Sequence, residues 1–382
     1  MKILVLSCNT GQGHNSAAKA VQEKFISLGH ECVVKDALKY ASKIVSDGVS
    51  ESYNKIVMHT PKAFGVGYRF SKSMTYNEGE LKSPVYAMNM AYSKRICSDI
   101  LEEGYDAVVC CHVFPAQAVT HAKHKHGLDI PIYVVATDYS FSPFYDELDV
   151  DKFFISMKEV KHEYVDRGIP EEKIVPTGIP VSQRFTDRMA KDEARALLGL
   201  VNDRFLCVIM SGSMGFGNIY KLIDNILERP ISGYDILVIC GNNTKLMNGI
   251  NEKYCRYSNI AAIGYTTDVH LYMKACDLVI TKPGGLSSTE AMVSNVPLVL
   301  TSPIPGCETE NYDLLTRLGA ALPGKDIEKA ALAFETILFD KTVGTLVVMN
   351  QEKYINKTGA AEICECILKG FEKKYEDSRT GL

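Results

Sequence analysis

The chain concentrates chemistry-bearing residues between Thr281 and Asn311. The stretch opens Thr281-Lys282-Pro283-Gly284-Gly285-Leu286-Ser287-Ser288-Thr289-Glu290-Ala291. It closes Ser302-Pro303-Ile304-Pro305-Gly306-Cys307-Glu308-Thr309-Glu310-Asn311. The apolar run at 277–280 suits a buried parallel strand, and 297–300 suits a second. The glycine pair lets the backbone turn sharply, and Ser287 and Ser288 offer hydroxyls at the start of the helix that follows. The N–H groups of Gly284, Gly285, Leu286 and Ser287, together with the helix dipole, make an anion site. Glu290, about one turn into the helix, brings a carboxylate to the same place. Beside a diphosphate, such a group suits a pair of ribose hydroxyls. The spacing therefore predicts half of a nucleotide-sugar site, with Glu308 and Asn311 toward the sugar. Lys282 is either a charge partner or a solvated strand-end lysine.

A second constellation lies in the first half. Gly11-Gln12-Gly13-His14-Asn15-Ser16 follows an apolar strand at 2–7 and imitates the dinucleotide fingerprint. Ser16 stands where the third glycine belongs, which weakens a nicotinamide or flavin reading. His14 is the favoured general base, because it opens a helix at 16–28 whose positive dipole end disfavours the imidazolium. Asp138 is its rival, either as the base itself or as the carboxylate that orients His14. An Asx turn is the structural alternative for Asp138. Gly13, His112, Tyr68 and Arg69 are the acceptor-side candidates, although His112 reads equally well as a core histidine at a strand end. In the second half the glycine-rich loop 211–217 supplies Gly212, Ser213, Met214 and Gly215 for a diphosphate. Asn243 is a donor-side or plain turn residue, and Tyr265 lies with Val269 where the nucleotide base belongs. No Asp-x-Asp run ends a strand, so neither a metal nor another cofactor is expected. His121, His124 and His126 fall on the polar side of a helix without a carboxylate or cysteine partner, which argues against a metal there.

Two α/β units are needed to hold these groups. At 382 residues the chain has room for two domains. Its 46% hydrophobic content is that of a globular protein, and a net charge of −4 argues against nucleic-acid binding. Twelve cysteines are scattered without zinc-ribbon spacing and read as reduced core thiols of a cytoplasmic protein. No apolar run is long enough to span a bilayer, and a strand starting at Lys2 leaves no room for a signal peptide. Strands are expected at 2–7, 31–34, 106–111, 130–136 and 152–156, with a helix at 158–168. The pattern restarts with strands at 205–210, 234–240 and 260–263. The predicted fold is two Rossmann-like α/β domains facing each other across a cleft, with ligands beyond the carboxyl ends of the strands. Segment 175–180 is the linker candidate, giving domains 1–180 and 181–350. A final amphipathic helix, roughly 351–373, belongs to a tail at 351–382. The long segment 37–103 breaks the βα alternation. It is rich in lysine, arginine, tyrosine and methionine, which suits either helices packed on the sheet or contact with an anionic membrane surface.

Lys282-Pro283-Gly284-Gly285, Glu290-Ala291 and Pro305-Gly306-x-Glu308-x-x-Asn311 are similar to the donor signature of GT-B glycosyltransferases. Their form resembles that of monogalactosyldiacylglycerol synthases and bacterial diacylglycerol glucosyltransferases. Gly11, Gly13, His14, Ser16 and Ala17 fit the same family's first loop, Thr177-Gly178-Ile179-Pro180 its domain junction, and Asn243 its Cys-Gly-x-Asn pattern. The resemblance covers nearly the whole chain. It implies an inverting transfer of a hexose from a UDP-sugar to a diacylglycerol-type lipid, with His14 as base. It also implies a lipid-binding role for 37–103 and a last helix that crosses back to the first domain. The enzyme would work from the cytoplasmic face of the membrane as a peripheral protein. Cys307 departs from the family's usual glutamine, which leaves the sugar open. Three alternatives stand beside this reading. They are an N-acetylglucosaminyltransferase acting on a polyprenyl-linked precursor, a nucleotide-sugar 2-epimerase of related fold, and a non-catalytic nucleotide-sugar sensor.

Overall fold

Ile3, Leu4, Val5 and Leu6 are all fully buried. A strand apolar on both faces belongs in a parallel sheet covered by helices on either side. The computed structural model has that arrangement twice. It describes residues 1–9, 12–41, 61–74, 82–200, 203–210 and 218–380, without the side chains of 61–64 and 373–380. The chain divides into two compact units, Met1–Gln183 with Asn356–Leu382, and Arg184–Ile355.

Unit 1 carries strands β1 (Lys2–Ser7), β2 (Glu31–Asp36), β3 (Ala107–Cys110), β4 (Ile132–Val135), β5 (Lys152–Phe154) and β6 (Ile174–Val175). They lie in the order β2-β1-β3-β4-β5-β6, every pair parallel. The order reverses direction between β1 and β3, which opens a crevice at their carboxyl ends. Helix α1 (Gln12–Ser27) follows β1. Helices α2 (Pro61–Ser73), α3 (Pro84–Met90) and α4 (Ser93–Glu103) fill the long segment before β3, and α5 (Val113–His126) follows β3.

Unit 2 repeats the plan with β7 (Phe205–Met210), β8 (Tyr234–Ile239), β9 (Ile260–Ile263), β10 (Leu278–Thr281), β11 (Leu298–Leu300) and β12 (Leu322–Pro323). Their order is β12-β11-β10-β7-β8-β9, again all parallel. The reversal here falls between β7 and β10. At the amino ends of both sheets aspartates tie the strands together. Asp106 accepts the Lys2 N–H at 2.7 Å, Asp151 that of Ile132 at 2.7 Å, and Asp277 that of Leu206 at 2.8 Å.

The expected α/β fold is present, with local differences. The segment 175–180 is not a free linker. Thr177 and Ile179 are buried, and Gly178 donates to the Ile155 carbonyl at 3.0 Å with φ of 87°. The chain leaves unit 1 only after Gln183. The single helix expected at 351–373 is two, ending at Tyr354 and restarting at Gly359. Asn356 causes the break. Its amide donates to the Thr177 carbonyl at 3.0 Å, and its side-chain oxygen accepts the Thr358 N–H at 2.9 Å. The restarted helix buries Ile363, Cys364 and Ile367 against Val21 and Phe25 of α1. The helix expected at 158–168 is a 3-10 turn, Lys158–Val160, followed by a short helix, Lys161–Val165.

The segment between β2 and β3 is pinned by a buried polar chain. Glu147 accepts from the Ser83 N–H at 2.5 Å, the Ser83 hydroxyl at 2.9 Å and the Gln117 amide at 2.5 Å. Gln117 in turn accepts from Asn89 at 2.7 Å, and Asn89 from the Tyr92 hydroxyl at 2.6 Å. Ser83 also caps α3. A buried carboxylate with three donors is satisfied and fixes the helix in one place.

Candidate functional site

His14 sits in the first turn of α1, which begins at Gln12 and not at Ser16 as the sequence suggests. Its Nδ1 lies 2.9 Å from the Cys111 carbonyl and 3.0 Å from the Thr137 hydroxyl. Both partners stand just past the carboxyl ends of strands, Cys111 after β3 and Thr137 after β4. A carbonyl only accepts, so this network assigns the hydrogen to Nδ1 and leaves the lone pair on Nε2. Burial lowers the imidazole's pKa below its ordinary value, against the opposing pull of the Asp138 charge and the Cys111 carbonyl. The imidazole is thus neutral near pH 7, with burial as the main cause where sequence reasoning gave the dipole.

Asp138 follows Thr137 directly, and it acts on His14 through its charge. The groups bonded at Nδ1 are the Cys111 carbonyl and the Thr137 hydroxyl. His112 packs edge-on against His14, ring centroids 4.6 Å apart at 87°. Its own Nδ1 accepts the Phe114 N–H at 3.1 Å and so caps α5. Burial and the neighbouring His14 hold the His112 pKa well below the usual value. Gly13 lies beside His14 in the same turn. Tyr68 and Arg69 are on α2, Tyr68 half-buried and Arg69 exposed. The lysine and aromatic candidates at 42–60 and 75–81 lie outside the described residues, as does Gly11. His124 does have a carboxylate partner, Asp149 at 2.9 Å, contrary to the expectation of none. Among the described residues no group of three metal-ligating side chains converges.

In unit 2 the turn after β10 leads into α6 (Gly285–Val293), capped by Gly284. Ser287 and Ser288 are therefore inside the helix and not at its cap. Ser288 is fully buried, and its hydroxyl has no partner among the described residues. Glu290 lies in the second turn, half-buried, and burial pushes its carboxyl up to about 8. No hydrogen bond or ion pair to it is present among the described residues. Lys282 is neither in solvent nor free, since it pairs with Glu308 at 2.5 Å. The other Glu308 oxygen accepts the Ile304 N–H at 2.9 Å, and Asn311 donates to the Pro283 carbonyl at 3.0 Å. Glu308 and Asn311 belong to α7 (Cys307–Arg317), which opens at Cys307. Together they clamp the turn before α6 against the loop after β11. Asn243 caps the helix Thr244–Lys253 by accepting the Leu246 N–H at 2.9 Å, and Tyr265 is 70% exposed. Gly212, Ser213, Met214 and Gly215 lie outside the described residues. A cavity of about 320 Å³ opens at the carboxyl ends of β7, β10 and β11, lined by Met210, Thr281, Ser302 and Lys325. None of the described donor candidates lines it, so it is a neighbour of that group.

Comparison with known proteins fits this geometry. The description monogalactosyldiacylglycerol (MGDG) synthase matches residues 14–181, and the glycosyltransferase family 28 C-terminal domain matches 206–322. A protein of Bacillus cereus (strain AH187) named processive diacylglycerol beta-glucosyltransferase is 29% identical over 353 residues, covering 89% of this chain and 86% of its own. One of the same name from Bacillus thuringiensis (strain Al Hakam) is 28% identical with the same coverage. Among solved structures, Acinetobacter baumannii MurG superposes with a TM-score of 0.60 at 15% identity, covering 96% of this chain and 99% of that one. The UDP-GlcNAc 2-epimerase from Neisseria meningitidis gives 0.62 at 14%, covering 97% and 100%. The two doubly wound parallel units have the GT-B fold, and the chain is a glycosyltransferase. Within the class, residues 14–181 match the monogalactosyldiacylglycerol synthase family and residues 206–322 the family 28 C-terminal domain.

Proposed function

We propose that the protein moves glucose from a UDP-sugar to the free hydroxyl of a diacylglycerol-type lipid, with inversion at the anomeric carbon. The observation that carries this is the neutral His14 imidazole at the switch point of unit 1, inside the region matched to the lipid-glycosylating family. Nε2 takes the hydroxyl proton as the oxygen attacks the anomeric carbon. The bond to the diphosphate breaks, and its electron pair leaves with UDP. The N–H groups at the start of α6 favour the departing charge. An α-linked donor and a β-linked product, as in the relatives' name, require inversion. Incubation with a panel of UDP-sugars and diacylglycerol vesicles, followed by mass analysis of the lipid, tests the reading. A monoglucosyl lipid is expected. Epimerised sugar without glycolipid, or transfer only to a polyprenyl carrier, overturns it.

The acceptor lies in a membrane, and no described helix is long and apolar enough to cross one. We assign surface contact to α2, where Val66 and Phe70 are exposed at i and i+4 beside the exposed Arg69, with the exposed Met74 just past the helix end. The helix is held from behind, since Lys72 pairs with Glu163 at 3.3 Å and Arg167 donates to the Lys72 and Met74 carbonyls. Lys72 is thus an anchor to the protein, which leaves the membrane contact to these apolar residues and Arg69. Burying a side chain such as phenylalanine contributes about 1.5–3 kcal/mol. The Val66→Asp, Phe70→Asp double variant is expected to lose at least tenfold in vesicle co-sedimentation while keeping its UDP affinity. Equal sedimentation of the two proteins would remove α2 from the membrane contact.

A further inference from the structure

The imidazole of His14 is held by two acceptors on one nitrogen, the Cys111 carbonyl at 2.9 Å and the Thr137 hydroxyl at 3.0 Å. The carbonyl is backbone and is fixed by β3. Thr137 is therefore the side chain that completes the clamp, and it is only 6% exposed. The ring plane is set separately. His112 packs edge-on to it and is itself locked by the Phe114 N–H and by the Phe114 ring, 4.4 Å away. In many histidine bases the nitrogen opposite the reacting one is hydrogen-bonded to a carboxylate. Here that nitrogen is bonded to two neutral oxygens, and Asp138 acts on the ring through its charge.

We propose that Thr137 is a positioning residue for His14: it keeps the hydrogen on Nδ1, leaves Nε2 as the base, and shares the positive charge that appears when Nε2 takes the acceptor's proton. The inference rests on the reading of His14 as that base. An imidazolium donates a stronger, charge-assisted bond than a neutral ring does. The Thr137 oxygen therefore favours the protonated form more than the neutral one. Removing it disfavours the cation formed during transfer and moves the acid limb of the turnover profile to lower pH.

The test compares Thr137→Val, which keeps the shape and loses the hydroxyl, with Thr137→Ser, which keeps the hydroxyl. The valine variant is expected to lose about three- to thirtyfold in kcat, with KM for the UDP-sugar and for lipid unchanged and the acid limb shifted down. The serine variant is expected to stay within about twofold of the parent. Imidazole ¹⁵N shifts of His14 give a readout apart from activity, and they should show a hydrogen on Nδ1 in the parent and in Thr137→Ser. Circular dichroism confirms that each variant is folded. Parent-like kcat and pH profile in Thr137→Val overturn the proposal, and so does equal impairment of the serine variant, which would make the methyl's packing the cause. Survival of turnover in His14→Ala would sink the base reading itself, whatever Thr137 does.

Discussion

The His14→Ala variant is expected to turn over about 10²–10⁴ times more slowly than the parent, the usual contribution of a general base, while binding UDP nearly as well. The split follows from where the residue stands. His14 is in unit 1, and the diphosphate and ribose candidates are in unit 2. The pH dependence has a defined sign. Nε2 works only when unprotonated, and burial lowers the imidazole below its ordinary value of 6.5. The acid limb of kcat is therefore expected below that value. Asp138 raises the imidazole pKa through its charge, so Asp138→Asn should move the limb further down and keep most of the turnover. Steady-state rates over a pH series with a UDP-sugar and vesicles check both statements. Turnover that survives in His14→Ala and disappears in Asp138→Asn would make the aspartate the base.

The fold was legible because its signal is local. Runs such as Ile3–Leu4–Val5–Leu6 and Leu278–Val279–Ile280 have no polar face, and only a parallel sheet covered on both sides buries them. Glycine-bearing turns after β1 and β10 then mark the carboxyl ends. What the sequence hid was contact between distant residues. Thr137 is 123 residues from His14, and no periodicity announces that pairing. His112 looked like either a core residue or an acceptor contact; it caps α5, a role that depends on the Phe114 N–H and appears only once the helix start is known. Lys282 read as either a charge partner or a solvated strand-end lysine, and Glu308 as a group facing the sugar. In the folded chain they pair with each other, 26 residues apart, and hold the turn that the ligand would meet. The break at Asn356 was equally invisible, since the residue that stops the helix does so by reaching Thr177, 179 positions away.

Glu290 is expected to show opposite effects on stability and on binding. Its carboxyl titrates near 8 in the folded protein against an ordinary 4.5, with burial as the cause. The acid is protonated more readily folded than unfolded. Its contribution is therefore complete below about 4.5 and is lost as pH rises through about 8. Glu290→Gln removes this loss. The variant should match the parent in thermal stability at pH 4.5 and melt at a higher temperature than the parent at pH 8. Binding should move the other way. On the reading of Glu290 as the ribose group, its carboxylate would accept from two hydroxyls, and hydrogen bonds to a charged group are worth roughly 1.5–3 kcal/mol. Glu290→Ala should therefore weaken UDP-glucose binding about ten- to a hundredfold, with vesicle binding unchanged. The parent must release the Glu290 proton on binding, so its affinity should climb as pH rises toward 8, a slope that Glu290→Gln lacks. UDP-glucose is the better probe, because its diphosphate diester does not titrate in that range. Calorimetry in two buffers of different ionisation enthalpy reads the released proton directly. A glutamine variant with parental affinity, no gain in stability at pH 8 and the same proton release would place Glu290 outside the nucleotide site and leave the orphaned carboxyl as a feature of α6 packing alone.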